Sequence, residues 1–598
     1  MNEQWLNSLR YHLEARQIDR RGFLKRAAVV GMGIPAVSAI LAACGGDDDD
    51  DDDGGSTSTT GSGSTEPTAT RSGVTVNQNQ TPTPATSASP GTSASPGTSS
   101  PEATSTTAAP TGAAGGSVTF ARAVDAENMD PVTQDGNINI WILMSIYDQL
   151  IRVDEQGTGL LPGLATDWEV SDDALTYTFS IREGVKFSDG SDLTVEDIKW
   201  SIERARDTED SPWTFTLVQA ADIQTPDDTT VVITLSEPWS PFLSDISMFN
   251  AAIVSKAFAD SVGVESLVDQ CMGTGPFALK EWNKAVSMTL VKNENYWEEG
   301  LPLLDEIVFT VVPDGNSEIL QLQGGEIDGI IGQGDVPFNR IQELDADENI
   351  QVIQSLSTYN NFMVLQTQHE PLDDVHVRRA LNYATNKQAL IDTILFGAAE
   401  LSNSFMPNGA LYWNPDQEGY EYDIDKAKEE MAQSKVPDGF NVEIQIRSGN
   451  DQQSAIATAL QAMWADIGVT LDISPLEATV ARDNYRAEKF QIQITGWTND
   501  IIDPDELVSY AILPDSTNNY HTGWLSQQAV DLANQGRAEQ DDAARREIYY
   551  QIQQIHRDEA PWVYLYVVPY VDALSANVKG FFHHPMGQYD FRNTSIES

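Results

Sequence analysis

The chain has 598 residues, two cysteines and a formal net charge of -55. Such a balance argues against nucleic acid as a partner, which needs a basic footprint, and suits an exported, self-repelling protein while saying little about a ligand. Two cysteines exclude a disulfide framework, so stability must come from a buried core.

At the N-terminus, Arg20, Arg21, Lys25 and Arg26 precede an apolar run from Ala27 to Ala43. With Gly31, Gly33 and Pro35 inside it, that run of 17 residues is too short for a spanning helix, which needs about 20 apolar residues. It has the form of a signal-peptide core. Asp19-Arg-Arg-Gly-Phe-Leu-Lys25 resembles the twin-arginine export motif, and Leu41-Ala-Ala-Cys44 resembles a lipobox, whose cysteine would become a lipidated N-terminus. Acylation at Cys44 with two or more chains would anchor the protein stably to a membrane. Residues 45–116 are mostly Gly, Ser, Thr, Pro and Asp with few large apolar side chains, and carry a tandem Ser-Ala-Ser-Pro-Gly-Thr at 87–98. Such a segment cannot bury enough apolar area to offset its ordering entropy, so it reads as a disordered tether spanning on the order of 45 Å.

About 480 residues follow, enough for two large lobes. Leu175, Tyr177, Phe179 and Ile181 alternate with polar residues, the period of a half-buried strand. Thr194-x-x-Asp197 predicts a capping box opening a helix with Val195, Ile198 and Ile202 on its apolar face. Helical periods recur at Val377, Ala380, Leu381 and Ala384, and from Ile456 to Ile467. Val442 to Ile446 is strand-like, and Phe490, Ile492 and Ile494 mark a strand running into Gly496-Trp497. The fold class is α/β, or mixed α+β.

These residues carry a resemblance. Tyr147-Asp-Gln-Leu150, Leu161-Pro-Gly-Leu-Ala-Thr-Asp-Trp168, the segment Tyr177 to Gly190, Leu193-Thr-Val-Glu-Asp-Ile198, Gly273-Thr-Gly-Pro-Phe277, Asn293-x-x-Tyr296-Trp297, Gly325-Glu-Ile-Asp328 and Val375 to Ala384 are similar, in order, to family 5 extracellular solute-binding proteins of ABC importers. Gly496 to Asp505 and the ending from Pro585 to Glu597 look most like the dipeptide-binding branch. The resemblance implies a two-lobed, hinged, periplasmic-binding-protein-like fold of the large peptide-binding (cluster C) type. Lobe 1 would take residues 117–366 plus 563–598 and lobe 2 residues 367–562, with Tyr359 to Gln366 and Trp562 to Val568 as the crossing strands. It further implies a monomer without cofactor or catalysis. Such a protein hands a short peptide to permease subunits powered by a partner ATPase. Relatives carrying nickel chelates, haem or other small solutes keep those ligands open as alternatives, because one fold serves many functions.

A short peptide presents an ammonium and a carboxylate, and burying either requires an opposite charge. In the family, the aspartate that binds the ammonium stands three residues after the Trp of a Gly-Trp-Thr segment. That spacing implies Asp500 after Trp497, although by composition Asp500 is one of several acids in a turn. An arginine placed before the following helix clamps the carboxylate in the dipeptide branch, which points to Arg447, whose planar fork suits the task. Ser448-Gly449-Asn450 departs there from a more proline-rich pattern, and a surface arginine is the competing reading. Trp497 would wall a side-chain pocket or serve as core.

Other constellations point away from catalysis. Gly273-Thr-Gly275 lacks a following Gly-Lys-Ser/Thr, and no nucleophile stands beside a base in a hydrolase motif. His583-His584 lacks further ligands at metal spacing and reads as a surface pair. Arg378-Arg379 is expected to face solvent or an acid, and Cys271 to act as a small buried hydrophobe.

Overall fold

Two mixed sheets divide the chain. The computed structural model describes residues 114–597 apart from 135, 210, 214–215, 333 and 515–519. The signal motif with Arg20, Arg21 and Cys44, and almost all of the linker, lie outside the described residues.

The first sheet has seven strands in the order Ile350–Ser355, Tyr570–Ser575, Gly329–Ile330, Ser117–Arg122, Glu306–Val311, Ser287–Lys292 and Phe277–Asn283. Strand Ser117–Arg122 pairs in parallel with both neighbours. Its Val118 and Phe120 enter a core with Trp141, Phe309 and Phe591, where the rings of Phe120 and Phe591 stack at 5.6 Å. Beside it stands a four-stranded antiparallel sheet of Ala165–Val170, Thr176–Ile181, Thr230–Leu235 and Ala220–Asp227. There Tyr177, Phe179 and Ile181 face inward as alternation predicts, against Ile198 and Ile202 of helix Val195–Asp207. That helix opens on the expected capping box: the Asp197 amide donates to Thr194 Oγ1 and the Thr194 amide to Asp197 Oδ2.

The second sheet has six strands in the order Glu400–Leu401, Trp562–Val567, Asn360–Leu365, Ile492–Trp497, Phe440–Arg447 and Val469–Leu476. Its centre is buried on both faces. Met363, Leu365, Val563 and Leu565 pack against helices Val375–Ala384 and Asp451–Ala465, while Phe362, Val364, Trp562 and Tyr564 meet residues of Asp505–Ile512, Gln527–Ala538 and Asp542–Glu559. Phe362 and Trp562 stack at 3.8 Å with their planes 4° apart.

The strands read from the sequence as crossings sit inside this second sheet. Asn360–Leu365 pairs antiparallel with Trp562–Val567, Asn360 opposite Val567. The chain changes sheet at residues 356–359 and 568–569, just outside those strands. Unbroken apolar texture belongs to central strands covered on both faces, and the connections themselves are short.

One local expectation is sharpened and one corrected. Arg378 meets an acid, the Glu559 carboxylate at 3.7 Å, but is only 3% exposed, and its guanidinium donates to the carbonyls of Glu559 and Leu372, while Arg379 donates to the carbonyl of Asp558. The pair caps the orphan carbonyls ending helix Asp542–Glu559, where positive charge is favoured. His583 and His584 are not a surface pair. His583 stacks on Tyr570 at 4.1 Å with Nδ1 2.8 Å from Asp572 Oδ2, and His584 Nε2 lies 2.7 Å from the Asp154 carbonyl. Cys271 packs partly buried against the first core, and burial pushes its thiol up to about 12.

Candidate ligand-binding site

Strand Ile492–Trp497 ends at a crowded point. A side chain at Gly496 would bring its Cβ to 2.7 Å from the Tyr359 ring and 2.9 Å from the Asn360 carbonyl, so only glycine lets the strand approach the crossing segment this closely. Beyond Trp497, residues Thr498, Asn499 and Asp500 turn inward and are buried despite their polarity. The Asn499 amide donates to Thr358 Oγ1 at 2.9 Å, tying this loop to the first crossing.

Asp500 is 4% exposed, and its Oδ1 has no hydrogen-bond partner. Burial pushes its carboxyl up to about 7. Beside it lies Glu506, in the first turn of helix Asp505–Ile512. Glu506 Oε2 accepts the amides of Asp500 at 2.9 Å and Ile501 at 3.1 Å, and Oε1 accepts Trp497 Nε1 at 3.2 Å. Burial, and then the neighbouring Asp500, push Glu506 well above the usual carboxylate range. Among the described residues neither carboxyl forms an ion pair. A buried carboxylate without a cation is costly, and a ligand ammonium would supply that cation.

Aromatic rings enclose the pair. Trp497 is half-buried, its ring 4.6 Å from that of Tyr510 and 6.0 Å from that of Tyr520. At the start of strand Tyr570–Ser575, just past the second crossing, Tyr570 faces Ser357, Thr498 and Asp500. The structure thus brings Trp497 and Asp500 together. Arg447 ends strand Phe440–Arg447, which runs parallel to Ile492–Trp497 with Ile444 opposite Ile492, so both strands finish on one edge of the sheet. Its side chain is exposed, its amide donates to Gln453 Oε1 at 2.8 Å, and its charge opposes the rise that burial gives the Tyr359 phenol. Tyr359 therefore lies within electrostatic reach of Arg447 and against Gly496.

Sequence reasoning missed Glu506 and the tyrosines at 359, 510, 520 and 570. Glu506 was the one within reach, as an acid in the first turn after Pro504; the tyrosines converge only through the sheet crossings. Across the cleft, the first lobe touches the second. The Ser240 amide donates to the Arg537 carbonyl at 2.7 Å, and the Arg537 guanidinium lies 4.8 Å from the Trp239 ring centre. A cavity of about 430 Å³ opens beside this contact, lined by Val218, Pro238 and Trp239 from the first lobe and Tyr510, Leu513 and Arg537 from the second.

A two-lobed protein with buried, cation-free acids at the carboxyl edge of a sheet has the form of a small-solute receptor. The chain belongs to the family of bacterial extracellular solute-binding proteins, family 5, whose description matches residues 159–519. It is 29% identical over 480 residues to the dipeptide-binding protein of Escherichia coli K12, covering 76% of this chain and 89% of that one. It is also 29% identical over 482 residues to heme-binding protein A of Haemophilus influenzae, with 76% and 87% covered. Among solved structures it resembles the ABC transporter-associated periplasmic binding protein DppA from Helicobacter pylori in complex with the peptide STSA, at 29% identity and a TM-score of 0.70 over 81% of this chain and 99% of that one. The protein is a solute-binding component of an ABC importer rather than an enzyme.

Proposed function

We propose that the protein captures a dipeptide or short peptide between its lobes, outside the cytoplasmic membrane, and delivers it to the permease. Asp500 carries the reading: it is buried, its Oδ1 lacks a partner, and it stands where a peptide ammonium would supply the missing charge. Trp497 walls the site. Arg447, on the same sheet edge and exposed, is the base that meets the peptide carboxylate when the ligand bridges the two. The likeness to a dipeptide-binding protein and to a peptide complex supports peptide as the ligand class.

The test is calorimetry with a dipeptide panel on the wild type and Asp500→Ala. Removing the acid leaves a buried ammonium unpaired, so the variant is expected to lose roughly 3 to 5 kcal/mol of affinity. Unchanged binding removes Asp500 from the site. Haem or a metal chelate is the second reading, favoured by the likeness to a heme-binding protein, and optical absorbance plus metal analysis of the purified protein separate it from peptide.

Anchoring through Cys44 belongs to the same proposal. Cells fed a labelled fatty acid are expected to label the wild type and not Cys44→Ala, and label retained in the variant sinks the anchor. Loss of export on replacing Arg20 and Arg21 together by lysine tests the twin-arginine route.

A further inference from the structure

Glu506 is a second acid at the site that no motif announces. Its carboxyl and that of Asp500 lie within hydrogen-bonding reach of each other. Among the described residues, the groups facing the two are the Trp497 indole from the strand, Tyr510 on the same helix, Tyr520 from the following turn and Tyr570 at the start of strand Tyr570–Ser575. None is a cation, and burial holds all three phenols above their ordinary range, hence neutral. Two carboxylates this close in a water-poor site do not both ionise, because each desolvates and repels the other.

The two acids are placed differently. Glu506 has both oxygens committed, to two backbone amides and an indole, which anchors it. Asp500 has Oδ1 open. An ammonium arriving at that oxygen brings its own donors and one positive charge. With it in place, both acids ionise and the net charge of the buried site stays where it was.

We propose that the empty site holds one proton shared between Asp500 and Glu506, and that a ligand ammonium entering against Asp500 displaces it to solvent. This deepens the peptide reading and rests on it. Capture then releases one proton, so affinity rises by up to about tenfold per pH unit over the range in which the empty pair keeps that proton. The slope ends where the peptide's own amine begins to deprotonate, near about pH 8.

Infrared difference spectroscopy on the ligand-free full chain reads the proton directly. At pH 6 the wild type is expected to show a protonated carboxylic-acid carbonyl band whose frequency changes in both Glu506→Gln and Asp500→Asn, since each variant leaves one buried acid to hold the proton alone. Glu318, another buried acid that burial pushes up to about 8, is present in all three proteins and cancels in the subtraction. Absence of a difference band in both variants overturns the proposal, and two variants guard against one that fails to fold. Calorimetry with the dipeptide Met-Leu at pH 6, in buffers of different ionisation heat, is expected to show about one proton released by the wild type. Binding without release also overturns it. A dipeptide that does not bind counts against the peptide reading alone, since the infrared measurement decides the shared proton without ligand.

Discussion

Four buried acids lie within seven residues of one loop, and they have opposite fates. Asp503 receives two bonds from Arg545, at 2.6 and 2.8 Å, and Asp505 one from Arg537 at 2.8 Å. Asp500 and Glu506 have no such partner among the described residues. The paired acids join the loop to helices Gln527–Ala538 and Asp542–Glu559, and so act as structure. Of the unpaired acids, Glu506 is held by two backbone amides and an indole, which fix its position without cancelling charge, and Asp500 meets Glu506. The contrast teaches that neighbouring acids of one buried segment separate by whether the fold provides each with a cation.

The comparison breaks first at Asp503. Asp503→Ala strands Arg545 in the interior, and removal of one partner of a buried pair costs roughly 3 to 5 kcal/mol. A matching fall in the denaturant midpoint is expected, and a shift within the scatter of surface substitutions would deny the structural role.

Asp500→Asn should do the reverse. Asp500 keeps its proton in the folded protein up to about 7, while the unfolded chain ionises near 4. The folded state therefore binds more protons between those values, and stability falls as pH rises through that window, on the order of a few kcal/mol. Asparagine removes that slope, so the variant is expected to be more stable than the wild type at pH 8 and nearly equal to it at pH 4. Chemical denaturation at both values checks this, and a variant less stable at pH 8 would place Asp500 with the structural acids.

The smallest effect belongs to Arg447. Being exposed, Arg447→Ala should leave stability within about 0.5 kcal/mol. Its affinity for a dipeptide is expected to drop by roughly 1.5 to 3 kcal/mol, the value of a hydrogen bond to a charged group, and its affinity for the C-terminally amidated dipeptide to stay unchanged. Equal losses for both ligands would mean that Arg447 does not meet the carboxylate.

Much of the fold was legible because its signals are local. Alternation from Leu175 to Ile181 and the capping box at Thr194 each depend on neighbours within a few residues, and both form as expected. The acid beside Arg378 was expected, but its burial was not, because that depends on the far end of helix Asp542–Glu559, whose carbonyls need a donor. His583 misled likewise, since only the fold sets it against Asp572 of strand Tyr570–Ser575.

At the site itself, the sequence alone determined the candidates: an acid three residues after a tryptophan at a strand end, an arginine ending a neighbouring strand, and a lipobox cysteine. Tertiary structure decided what those acids are. It gave arginines to Asp503 and Asp505, set Glu506 against Asp500, and closed tyrosines from three separate stretches around the pair. The physical reason is that periodicity and caps are read from nearest neighbours, whereas whether a charge is compensated depends on every chain segment folded within a few ångströms of it.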